Sequence, residues 1–76
     1  MTRIAPRITV DPKIRFGTPV IEGTRIPIEV IVGKLASGMS ADAVADAYGV
    51  GLQDVLAALA YAADVISHER VRAVSE

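Results

Sequence analysis

The stretch Phe16-Gly17-Thr18-Pro19-Val20-Ile21-Glu22-Gly23-Thr24-Arg25-Ile26-Pro27-Ile28 constrains this chain more than any other. Two glycines, two prolines and two threonines sit there among β-branched residues. Val20-Ile21 before Glu22-Gly23, and Thr24-Arg25-Ile26 after it, predict a short hairpin. Glu22 takes a right-handed turn position, and Gly23 supplies the positive φ that closes a bulged turn without a Cβ penalty. Pro27 then removes a ladder donor and fixes φ near a helical value, so a strand ends and a helix begins there.

Around this junction the chain reads as a short β region over residues 8–26, a three-helix bundle over 27–67 and a charged tail over 68–76. Ile8-Thr9-Val10 alternates apolar and polar as a strand does and is stopped by Asp11-Pro12. Residues 1–7 are expected to be irregular and frayed, with Ala5 held extended by Pro6. In Lys13 to Thr18, Ile14 and Phe16 are expected on one side. The run Ile28-Glu29-Val30-Ile31-Val32 also fits a strand, but Ile28, Ile31, Val32 and Leu35 at helical spacing, with Pro27 first, Lys34 in the last turns and Gly38 just past the end, favour a first helix at about 27–37. Gly33 inside it costs about 1 kcal/mol relative to alanine, which suggests close approach of another element. Ser40 is a favourable N-cap for a second helix through Ala41, Val44, Ala45 and Tyr48, closed by a left-handed Gly49. Gly49-Val50-Gly51 leads into a third helix at about 52–67, apolar nearly all round. Two helices joined by a short glycine-containing turn match a helix-turn-helix in outline. The expected class is therefore α+β, mainly α.

At 76 residues a chain buries only about 60–65% of the surface its unfolded form exposes. With Phe16, Tyr48 and Tyr61 as its only aromatics, the core is built of small aliphatic side chains. Association is a standard supplement for such a core. A homo-oligomer is expected, with Leu52, Val55, Leu56, Leu59, Ala63 and Ile66 of the third helix as its interface. There is no cysteine, hence no thiolate metal site or disulfide framework. The N-terminus lacks a signal-like apolar run, and Val55 to Ala63 is too short to span a bilayer, so the expected location is the cytoplasm, without membrane contact. Charge is unevenly spread: residues 1–34 carry six basic side chains against three acids, +3, and residues 35–76 two against six, −4. A polyanion would meet the N-terminal half.

Several residues carry a likeness to a known family: Gly17-x-Pro19-Val20-Ile21-x-Gly23-Thr24-Arg25-Ile26-Pro27, then Gly38-Met39-Ser40, then Ala57-Ala58-Leu59-x-Tyr61-Ala62. From about Ile8 to Ile66 the chain resembles domain-of-unknown-function family 433, a set of small prokaryotic proteins. The resemblance implies a homeodomain-like helix-turn-helix and, for many members, an antitoxin role beside a ribonuclease-like toxin of the PIN type. One departure is that Tyr48 is followed by Gly49, where the family usually has proline.

No catalytic constellation accompanies it. His68 is the only histidine and lies on the polar tail, no His/Asp/Glu cluster has metal-ligand spacing, and the glycine-rich hairpin lacks the Gly-Lys-Ser/Thr ending of a phosphate loop. No enzyme activity or cofactor is expected. The third helix offers one base reader near its start, Gln53, whose natural partner is adenine, while Asp54 would repel phosphate. DNA contact, including contact with the protein's own promoter, therefore falls mainly to Arg7, Lys13, Arg15 and Arg25. Arg25 has a competing role, capping a carbonyl or pairing with Glu22 across the turn. Arg70 and Arg72 are the candidate toxin contacts, because a PIN-type site rich in metal-binding carboxylates would accept a cation by charge-assisted pairing. The competing function is a homo-oligomeric protein-interaction module without DNA binding.

Overall fold

Ile8–Val10 is central to a three-stranded antiparallel sheet in a computed structural model that describes residues 1–69. Strand β1 is Thr2–Ala5, β2 is Ile8–Val10 and β3 is Val20–Ile21, in the spatial order β1-β2-β3. Three helices follow: α1 (Ile28–Ala36), α2 (Ala41–Tyr48) and α3 (Leu52–His68). Sheet first and helices after, with helix predominating, is the α+β arrangement the sequence predicts.

The N-terminus is a correction to that reading. Residues 2–5 are paired, with Thr2 opposite Val10, Arg3 opposite Thr9 and Ala5 opposite Ile8, across a register shift between Arg3 and Ala5. Pro6 is the cause rather than an obstacle. Its fixed φ, followed by a positive φ of 65° at Arg7, is the pattern of a type II turn, which folds β1 back on β2.

The turn at Glu22-Gly23 is present, with Gly23 at φ 80°, but its returning side is not a regular strand. Ile21 donates its N–H to the Ile26 carbonyl at 3.0 Å. Thr24 Oγ1 then takes over from the ladder, donating to the Ile21 carbonyl at 2.8 Å and accepting from the Ile26 N–H at 3.0 Å. Pro27, without an N–H, makes one isolated bridge with Val20 and becomes the N-cap of α1. The Ile28 N–H donates to the Pro19 carbonyl at 3.1 Å, which fastens the start of α1 to the sheet.

Helix ends follow their local chemistry. Ser40 accepts the Ala43 N–H at 3.1 Å as the N-cap of α2. After α1, the Gly38 N–H reaches the Leu35 carbonyl and the Met39 N–H the Lys34 carbonyl; after α2, the Val50 N–H reaches the Ala45 carbonyl. Both closures turn on a left-handed glycine, Gly38 at φ 107° and Gly49 at φ 67°, a conformation that costs a side-chain-bearing residue more. The second closure sets α2 and α3 at 112° to each other.

Ile8 and Ile21 from the sheet, Ile28 and Ile31 from α1, Val44 from α2, and Val55 and Ala58 from α3 make one buried cluster. The third helix buries less than its periodicity suggests. Val55 and Ala58 are inside, whereas Leu52, Leu56, Leu59, Ala63 and Ile66 lie on the surface. The expected close neighbour of Gly33 is also missing among the described residues: a Cβ there would meet none of them within 4 Å.

Candidate functional site

The β1–β2 turn and the start of α3 meet, although 46 residues or more separate them in sequence. Arg7 is held there by its left-handed backbone and by its carbonyl, which accepts the Glu22 N–H at 2.8 Å. Its guanidinium forks: one arm donates to Asp54 Oδ1 at 3.1 Å and the other to Gln53 Oε1 at 2.7 Å. The second oxygen of Asp54 accepts the Gly51 N–H at 3.0 Å. Asp54 thus closes the open N-terminal turn of α3 on one side and fixes Arg7 on the other. Charge-assisted, forked arginine contacts of this kind fix geometry as well as charge.

This arrangement joins two residues that the sequence proposes as separate DNA contacts. Arg7 is engaged with Asp54 and Gln53, so its charge is already matched inside the fold. Adenine readout by Gln53 needs both its amide oxygen and its nitrogen, and the oxygen is taken by Arg7. The phosphate repulsion expected of Asp54 is likewise offset by the paired guanidinium. Glu22 pairs with Arg3 at 3.7 Å, which leaves Arg25 without the partner considered for it.

Lys13 and Arg15 belong to a protruding loop between β2 and β3. Asp11 organises its base: Oδ1 accepts the Lys13 N–H at 2.9 Å, and its carbonyl accepts the Ile14 N–H at 2.8 Å. At the tip Arg15, Phe16 and Gly17 take positive φ in succession, 50°, 58° and 83°. A non-glycine residue in this region costs about 1–2 kcal/mol, and Thr18 braces the tip by donating both its N–H and its Oγ1 to the Arg15 carbonyl, at 3.1 and 2.7 Å. The result reverses the expected orientation of Phe16. Ile14 is half-buried, while Phe16 is 100% exposed. Among the described residues no carboxylate pairs with Lys13, Arg15 or Arg25. These three cations are exposed, and Phe16 follows Arg15 at the loop tip.

Phe16 and Arg3 are the surface residues that sequence reasoning missed. A signal for Phe16 existed: it is an aromatic set between Arg15 and Gly17, where no strand alternation carries through. At the far end of α3, His68 donates through Nδ1 to the Asp64 carbonyl at 2.8 Å, a helix-end contact. Arg70 and Arg72 lie outside the described residues. No single described helix is long and apolar enough to cross a membrane.

Over residues 8–62 the chain matches the family described as "Protein of unknown function (DUF433)". The chain belongs to that family. The match runs from β2 through the sheet and α1 and α2 into α3, so it covers the Gly-Thr-Arg turn and the start of α3. A relative from Mycobacterium tuberculosis (strain ATCC 25618 / H37Rv), named "Putative antitoxin VapB45", is 38% identical over 56 residues, 70% of this chain and 23% of the relative. The X-ray crystal structure of Rv2018 from Mycobacterium tuberculosis superposes with a TM-score of 0.63 at 35% identity, covering 68% of this chain and 24% of that one. The chain therefore spans about a quarter of the length of each protein it matches.

Proposed function

We propose that this chain is an antitoxin module that neutralises a ribonuclease-like toxin of the PIN type and binds its own promoter DNA, without catalytic activity of its own. The observation that carries the reading is its likeness to the Mycobacterium tuberculosis protein named as an antitoxin. The promoter-binding part is supported by the 112° between α2 and α3 across Gly49-Val50-Gly51, within the 90–120° range of a helix-turn-helix.

In this reading the DNA contact is made by cations of the N-terminal half rather than by α3. Lys13, Arg15 and Arg25 are exposed and have no carboxylate partner among the described residues, so each can neutralise a phosphate without first breaking an ion pair. Arg7 and Gln53 serve instead to hold the start of α3 in place. The toxin contact is assigned to Arg70 and Arg72, whose guanidinium groups suit the carboxylates of a metal-dependent nuclease site.

Calorimetric titration of the purified PIN-type protein encoded beside this chain tests the reading. Saturable binding by the full chain, weakened at least tenfold on deleting residues 68–76, is the expected result. Equal affinity after deletion would move the contact to the bundle, and no binding by either form would refute the antitoxin role. The second reading, an interaction module with no DNA role, draws support from the apolar stripe that α3 leaves exposed. Absence of salt-dependent DNA binding by the full chain would favour it.

A further inference from the structure

Helix α3 has two apolar faces, of which the chain buries one. Leu52, Leu56, Leu59, Ala63 and Ile66 follow one another at intervals of four, three, four and three residues, the spacing of a coiled-coil seam. At 3.6 residues per turn they lie about 90° around the helix from the buried pair Val55 and Ala58, along a line about 21 Å long. Their exposure is large for such side chains: 43% at Leu52, 50% at Leu56, 38% at Leu59 and 66% at Ile66. The other flank of the seam carries Gln53, Ala60, Asp64 and Ser67, all exposed, with the Arg7 guanidinium seated on Gln53.

We infer that this seam is covered by α3 of a second copy of the chain, running antiparallel about a two-fold axis at Leu59. The order of side-chain sizes selects both partner and direction. Reversed about Leu59, the seam sets Leu52 against Ile66 of the second copy, Leu56 against Ala63, and Leu59 against itself. Every layer then holds at least one large side chain, so none is left empty. In a parallel pair Ala63 would meet Ala63 and leave a gap. Antiparallel pairing also opposes the two helix dipoles, and it brings Asp64 close to the level of Gln53 of the second copy, where that copy's Arg7 sits, rather than level with another Asp64. A two-fold axis makes the contact self-complementary and closed, so association stops at two.

Gly33 gives independent support. A Cβ at Gly33 would meet no described residue within 4 Å, yet Gly33 lines an apolar groove of about 400 Å³ between α1 and α3, together with Val32, Ala36, Ala62, Val65 and Ile66. Ile66 belongs to both seam and groove, so in the antiparallel pair Leu52 of the second copy arrives at the groove mouth. The missing side chain of Gly33 leaves room for that approach. The inference does not depend on the antitoxin reading, because it concerns the chain alone.

The absence of cysteine makes the test direct. Sedimentation velocity of the full chain at low micromolar concentration should give twice the chain mass, and Leu56→Lys should give the chain mass with an unchanged circular dichroism spectrum. A disulfide needs Cα atoms within about 7 Å, so under mild oxidation Leu59→Cys should cross-link to a dimer. Leu52→Cys alone should not, whereas the double variant Leu52→Cys/Ile66→Cys should. Cross-linking of Leu52→Cys and Ile66→Cys each on its own would show parallel helices and overturn the proposal. A monomer whose seam cysteines become protected only when the toxin is added would overturn it too, by giving this face to the toxin.

Discussion

Arg7 shows how a residue's charge can mislead about its use. Its role depends on Asp54, 47 positions away, and no local pattern in the sequence reports a contact of that range. The turn itself was no more legible, since Pro6 marked residues 1–7 as irregular and only the pairing of β1 with β2 shows that it folds the chain back. The two contributions can be separated by experiment. Arg7→Ala removes the fork but keeps an unfavourable φ of 65°, whereas Arg7→Gly removes the fork and relieves the backbone. Arg7→Gly should therefore be more stable than Arg7→Ala by about 1 kcal/mol in urea unfolding, with both below the parent. Equal stability of the two would mean that the turn is unstrained. Lys13, Arg15 and Arg25 are the opposite case, since nothing among the described residues engages their charges. If they bind phosphate, Arg15→Ala and Arg25→Ala should each weaken DNA binding for every sequence and lower the salt slope by about 1. Fluorescence anisotropy across a salt series reads that slope, and an unchanged slope in the double variant would remove both arginines from the DNA contact.

Helix ends were readable from sequence because a cap is a local event. Ser40 and Gly49 satisfy groups within a few residues of themselves, and α2 begins and ends where they predict. Replacing Ser40 by alanine should cost about 1 kcal/mol and lower the thermal midpoint by about 4–8 °C for a domain of this size. A smaller shift would mean that the α2 N-terminus is satisfied by water. Faces were harder to read. A helix apolar on two sides carries no mark of which side its own chain covers, and the sequence of α3, apolar nearly all round, sets the core residue Val55 on one face with Leu52, Leu56, Leu59, Ala63 and Ile66. Only the packing of Ile8, Ile31 and Val44 against Val55 and Ala58 decides it. Ile31→Ala, at a site with no exposure, should accordingly cost about 2–5 kcal/mol, and Leu59→Ala well below that in any form of the protein that is monomeric. Comparable losses at both positions in a monomer would contradict this division of α3. The first strand was missed for a related reason: Thr2–Ala5 has little alternation of its own and is a strand because β2 is beside it.

At the scale of the whole molecule, a sheet of three very short strands and three helices share a core of small aliphatic side chains. Exposed on the surface are the cations of the β2–β3 loop, with Phe16 at its tip, and the apolar stripe of α3. The central claim remains the antitoxin role, and its most direct test is enzymatic. Ribonuclease activity of the PIN-type toxin proposed as its partner should be measured while the purified full chain is added. Activity should be lost completely near equimolar ratio; activity that persists at a large excess of the chain would refute the antitoxin role.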